Sequence, residues 1–239
     1  MRVIYIGKKH WVAALAVLTF VFAASGLLLV HSGRSMETAA EPHRSGTADG
    51  MQVSLAINVD WGNEYLPAIL DALRAEDVHA TFFLTGRWTD AYPELAREIA
   101  DLGHEIGNHG YSHKSPNASS KDEVAEEIRT TEEAIFQATG ITTTLYAPPS
   151  GETEDHVLKA AEELGYETVR WTVDTVDWQN PDADTVRERV MGKIESGGII
   201  LAHPTAATAE ALPGILHDLR EAGFQPVTVS ENLGLADEK

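Results

Sequence analysis

From Val53 onward, short runs rich in β-branched and aromatic residues alternate with longer stretches of helical apolar periodicity, a rhythm that restricts the chain to parallel α/β architectures. Strands are predicted at residues 53–59, 80–84, 105–108, 144–147, 167–173, 199–202 and 225–229. Helices are predicted at 65–76, 92–102, 121–139, 154–164, 182–196 and 207–222, the last interrupted near Pro213 and Gly214. Seven such units suit a small or incomplete barrel better than an eight-unit one, which needs about 250 residues. A doubly wound open sheet is the other arrangement. The barrel is favoured because the chemically interesting residues fall just after strand C-terminal ends, where parallel α/β folds build their sites.

Ahead of this domain, Arg2, Lys8 and Lys9 precede residues 11–30, which carry no charged side chain. A secretory apolar core has about 7–15 residues, whereas a spanning helix needs about 20. The run is therefore expected to be an uncleaved transmembrane signal anchor. The positive-inside rule then puts residues 1–10 in the cytoplasm and the rest outside. Cleavage near residues 23–26, which would release a secreted domain, is the alternative. Residues 31–50 turn to Ser, Gly, Thr, Ala, Glu and His without periodicity and read as a solvated linker, so the domain is expected over 51–239. A formal charge of -19 argues against nucleic acid and anionic lipid surfaces as partners. With no cysteine in the chain, a transition-metal site has only histidines and carboxylates to draw on.

The most specific local motif is Gly107-Asn108-His109-Gly110-Tyr111-Ser112-His113, two histidines four apart after a short predicted strand. That spacing lets two neutral imidazoles grip one zinc-like ion, and no apolar periodicity explains the pair as core. Solvated loop histidines are the bland reading. Asn58-Val59-Asp60-Trp61-Gly62 ends the first strand in a carboxylate, which either faces a site or caps a turn. Asp174-Thr175-Val176-Asp177-Trp178 and Leu201-Ala202-His203-Pro204 place further ionisable groups at strand ends. Taken alone, His203 could be a satisfied histidine at the sheet margin, and Trp178 a packing residue.

In this order the four motifs resemble the polysaccharide deacetylases of the NodB homology type, carbohydrate esterase family 4, over most of residues 53–229. The resemblance implies a distorted (β/α)7-type barrel and metal-dependent removal of acetyl groups from a glycan. By the same match Asp60 is the general base, His109 and His113 bind the metal, His203 is the general acid and Asp177 tunes it. Trp178 and Leu201 line the acetyl pocket, and Trp61, Tyr146, Pro148 and Pro149 contact substrate. The implied cofactor is a divalent ion, zinc with cobalt or nickel as alternatives. The implied substrate is an N-acetylated glycan such as peptidoglycan, and the first motif is similar to that of a subgroup from endospore formers, implying a cell-wall or sporulation setting. A serine hydrolase using Ser150 is disfavoured, because no Gly-x-Ser-x-Gly elbow surrounds it.

Two departures from the family pattern matter. Trp61 stands where the family has its metal-binding Asp, and Ala147 where it has the Arg that pairs with the base. The first leaves His109 and His113 with water, Asp60 or Glu64 to complete a shell. The second removes a cation from beside Asp60, whose pKa is then expected to rise. A homologue without turnover, serving as a glycan- or protein-binding module, is the rival expectation.

Overall fold

The computed structural model describes residues 41–47 and 49–235. The expected cytoplasmic N-terminus, the signal anchor and the linker up to residue 40 lie outside the described residues. Among the described residues no helix is long and apolar enough to cross a membrane.

Eight strands run in chain order as β1 (Gln52–Val59), β2 (Thr81–Leu84), β3 (Glu105–Asn108), β4 (Leu145–Tyr146), β5 (Glu167–Thr168), β6 (Val173–Asp174), β7 (Ile199–Ala202) and β8 (Gln225–Val227). Among the described residues eight α-helices accompany them: α1 (Leu66–Ala75), α2 (Gly86–Ala91), α3 (Pro93–Asp101), α4 (Lys121–Thr139), α5 (Asp155–Glu163), α6 (Ala183–Met191), α7 (Ala206–Glu221) and α8 (Val229–Leu233). The sheet order is β5-β4-β3-β2-β1-β7-β6, with β8 also on β1 and every pair parallel. This is the expected barrel-type fold, a sheet curled into a half-barrel.

Strand period fixes which face each β1 side chain takes. Leu55, Ile57 and Val59 join Phe82 and Leu84 against α1, α3 and α7, whereas Ala56 packs with Phe83, Leu145, Val169 and Ile199 inside the curl. Asn58 and Asp60 continue that inward series. Register then brings the strand ends to one rim: Val59 pairs with Leu84, Leu84 with Asn108, Asn108 with Tyr146, and Ile57 with Ala202. Residues that follow these strands therefore share one mouth.

Four expectations are corrected. The single strand expected at 167–173 is two, β5 and β6, because its hydrogen-bond partner changes along the way. Val169 N–H donates to Tyr146 O of β4, Arg170 N–H to His43 O, and Thr172 N–H to Ile199 O of β7. The same contacts shorten the expected linker, since His43 N–H donates to Thr168 O and Gly46 N–H to Gly197 O, binding residues 43–46 to the domain. Pro213 does not interrupt α7, whose Leu212, Ile215, Leu216 and Leu219 are buried. Burying four such side chains at about 1.5–3 kcal/mol each outweighs the cost of an internal proline, about 3 kcal/mol. The short helix α2 lies where no helix was expected, started by the Thr85 side chain accepting from Trp88 N–H.

Candidate functional site

The rim holds a cleft of about 390 Å³ lined by Asp60, Trp61, His109, His113, Trp178, Leu201 and His203, together with Asn58, Ser150, Trp171 and Asp174. Seven of the residues expected to form a site therefore meet there, and Asp177 lies directly behind His203.

On the β1 side, Asp60 accepts at Oδ1 from Thr85 Oγ1 at 2.8 Å and from Arg87 Nε at 2.7 Å, while Arg87 Nη2 donates to Oδ2. Burial alone would raise the Asp60 carboxyl. The Arg87 and Thr85 hydrogen bonds and the guanidinium charge outweigh it, holding the pKa below the ordinary carboxylate value. The expected rise is thereby corrected: the cation missing at position 147 is supplied by Arg87, 27 residues from Asp60 in sequence. Arg87 was the functional residue that motif reading missed. Its one sequence signal is the capping pattern Thr85-Gly86-Arg87-Trp88, which puts it in the first turn of a helix beside the end of β1.

His109 is buried, and its Nδ1–H donates to Ala147 O at 2.6 Å. That bond fixes the tautomer and leaves Nε2 as the free electron pair, as in imidazoles that ligate metals. Burial first and then neighbouring His113 push its pKa down to about 3, so it is neutral near pH 7. The His113 ring stands 5.0 Å from that of His109 at 72°. Its loop is held by Glu127, which accepts from Tyr111 N–H at 2.9 Å and Ser112 N–H at 2.7 Å. The two imidazoles fit a divalent ion as a partial shell. Among the described residues no third His, Asp or Glu joins them. Glu64 is exposed and away from the cleft, so neither it nor Asp60 completes the shell as placed.

On the β7 side, Asp177 is fully buried and collects donors. His203 Nδ1–H reaches Oδ1 at 2.8 Å, and His203 N–H and Thr208 Oγ1 reach Oδ2 at 2.7 and 2.5 Å. Burial would raise this carboxyl, but the His203 bond and charge and the Thr208 bond hold it below its ordinary value. Trp61, 44% exposed, lies parallel to the His203 ring with centroids 6.0 Å apart.

Three expected substrate contacts are corrected. Tyr146 is 1% exposed and packs with Val124, Ile128 and Val157 beneath the rim. Pro148 and Pro149 are also buried, and neither lines the main cleft. The motif turns inward to fill space under the sheet, and only Ser150 at its tip reaches the opening. Trp178 is exposed at the cleft and Leu201 forms part of its floor.

The family model for polysaccharide deacetylase matches residues 46–169. The uncharacterized protein YlxY of Bacillus subtilis is 42% identical over 80% of this chain and 60% of its own length, so the chain spans less than two thirds of that relative. A peptidoglycan-N-acetylglucosamine deacetylase of Bacillus cereus is 36% identical over 77% of this chain and 69% of its own. Among solved structures, BA3943 of Bacillus anthracis, described as a pseudoenzyme of carbohydrate esterase family 4, is 42% identical with a TM-score of 0.80, covering 82% of this chain and 69% of that one. A mutant of it is described as having restored enzymatic activity.

Proposed function

We propose, from the premise that this chain belongs to the polysaccharide deacetylase family of carbohydrate esterase family 4, that it removes N-acetyl groups from peptidoglycan glycan, at a rate limited by a weakly held metal ion. The observation that carries this is one cleft with Asp60 held ionised on one wall and the His203–Asp177 pair on the other. The N-terminal apolar run would tether the domain outside the cytoplasm, beside that substrate.

His109 and His113 would hold the ion, which supplies a Lewis acid for the acetyl carbonyl and makes water easier to deprotonate. The chain's own groups do the rest. Asp60 takes the proton of the water whose oxygen attacks the carbonyl carbon. His203, its Nδ1–H fixed on Asp177, delivers a proton from Nε2 to the departing nitrogen as the C–N bond breaks, leaving acetate and a free amine. Each positioned acid or base contributes about a hundred- to ten-thousandfold. Trp178 and Leu201 would accommodate the acetyl methyl group.

One observation favours a second reading, a glycan-binding module without turnover. Trp61 stands where the family has its metal-binding Asp and lies parallel to the His203 ring, and a neighbour of the same fold is described as a pseudoenzyme. Metal content of the purified chain, measured with acetate release from N-acetylated peptidoglycan in the presence of zinc, cobalt or nickel, separates the two. Acetate release that is lost in both His109→Ala and His203→Ala supports the enzyme. No release with any ion, alongside retained glycan binding, leaves the module.

A further inference from the structure

We propose that Arg87, with Thr85, is a positioning residue that reserves Asp60 for proton transfer and keeps it out of the metal shell that His109 and His113 would form. The inference rests on the metal-binding reading of those histidines and concerns what their carboxylate neighbour does.

A carboxylate has about four lone-pair sites. Three on Asp60 are taken: two on Oδ1 by Thr85 Oγ1 and Arg87 Nε, and one on Oδ2 by Arg87 Nη2. One acceptor position on Oδ2 remains, enough to receive a proton. A metal ion recruiting Asp60 would have to share the carboxylate with a guanidinium that stays charged at all accessible pH. The bidentate fork also fixes the carboxylate plane, so Asp60 cannot turn toward the histidines without breaking both Arg87 bonds.

The clamp is itself anchored to the metal side of the cleft. Arg87 N–H donates to Tyr111 O and Gly86 N–H to Gly110 O, both at 3.1 Å, so the first turn of α2 is tied to the loop that presents His113. A Cβ at Gly86 would lie 2.2 Å from the Tyr111 ring, so only glycine permits this approach. Ala147 cannot serve instead, since its buried methyl side chain carries no charge and only its carbonyl, which holds His109, is polar. The base's cation has thus moved to another strand end, and from there it opposes the metal's claim on Asp60.

Cobalt(II) alone, titrated into the full chain, tests this by calorimetry and by the visible ligand-field spectrum, which reports coordination. Arg87→Gln should bind cobalt about tenfold more tightly than the wild type, with a spectrum altered by a carboxylate ligand. Adding Asp60→Asn should cancel both changes, Arg87→Lys, which keeps the charge but not the fork, should give an affinity between wild type and Arg87→Gln, and Thr85→Val should move affinity the same way by less. Unchanged or weaker binding in both Arg87→Gln and Thr85→Val, with native circular dichroism, overturns the proposal, as does absence of binding in wild type and variants alike. Tighter binding without acetate release from the wild type or any variant sinks the deacetylase reading and with it the proton-transfer role of Asp60, and leaves standing Arg87's exclusion of Asp60 from the metal shell.

Discussion

Replacing Asp177 by Asn tests the acid half of the cleft with almost no change of shape. Oδ2 receives His203 N–H and Thr208 Oγ1, with Thr205 Oγ1 at 3.5 Å, and an amide oxygen can take that place. The amide NH2 then faces His203 Nδ1, where it can only donate, so the imidazole proton must move to Nε2. Charge-assisted hydrogen bonds contribute about 1.5–3 kcal/mol each and neutral ones about 1 kcal/mol. Neutralising this cluster should therefore cost about 2–3 kcal/mol, or about 5–10 °C in Tm for a domain of this size. The pH dependence has a definite sign. Because Asp177 is held below 3.8 in the fold, the unfolded chain takes up its proton first, so the carboxylate's contribution is complete above that value and is lost as pH falls through the folded pKa. The wild-type advantage over Asp177→Asn should be level from pH 7 to about 4 and shrink below it. Urea unfolding at several pH values measures this, and acetate release should fall about a hundredfold or more. A Tm change under about 1 °C, or an advantage that grows below pH 4, would refute the assignment of Asp177 as an ionised, donor-saturated group.

Trp61→Asp restores the carboxylate at the family's metal position and removes the ring from His203; zinc affinity should rise about ten- to a hundredfold with a gain in acetate release, and unchanged affinity would show that the missing ligand is not what limits the site. His104 is buried with its pKa pushed down to about 4, by burial first and then by His79. Since the unfolded chain binds this proton first, thermal stability should fall as pH drops from about 6.5 to 4, and His104→Phe should flatten that slope. Gly62→Ala should destabilise the fold by about 2–4 kcal/mol in chemical denaturation, because Gly62 has φ +81° and a Cβ there would lie 1.9 Å from Pro204 O. A near-neutral result would mean the β1 and β7 loops part easily.

The half-barrel was legible because it rests on local signals. β3 and β7 have the bounds predicted for them, and the motif residues fall at the rim because each follows a strand. What was not legible depends on contacts distant in sequence. The break between β5 and β6 is made by His43, more than a hundred residues upstream, and nothing in the run Glu167-Thr168-Val169-Arg170-Trp171-Thr172-Val173 announces it. Tyr146 looks like a groove residue beside two prolines, yet the neighbouring α4 and α5 supply apolar partners that bury it. Arg87 escaped for a similar reason. Motif comparison looks for a cation at the position where a family keeps it, whereas electrostatics requires only that one reach the carboxylate.

This difference bears on which retained residues speak for catalysis. Asp177 binds the His203 main chain and the hydroxyls of Thr205 and Thr208, and the Thr205 side chain in turn caps α7 by accepting from Thr208 N–H. Losing Asp177 would strand buried donors and loosen the β7–α7 junction, so the fold alone gives reason to keep it. Asp60 is different. Its bonds go only to side chains, Thr85 would still cap α2 without it, and half-exposed Arg87 would still reach water. Stability therefore demands less of Asp60 than of Asp177, and its presence with a replacement guanidinium is the stronger support for the proposed proton transfer in this cleft. On this argument Asp60→Asn should cost less than Asp177→Asn, about 1–2 kcal/mol of stability, measured by urea unfolding, while abolishing acetate release. A loss as large as that of Asp177→Asn would make Asp60 a structural residue too and remove the main reason for placing hydrolysis here.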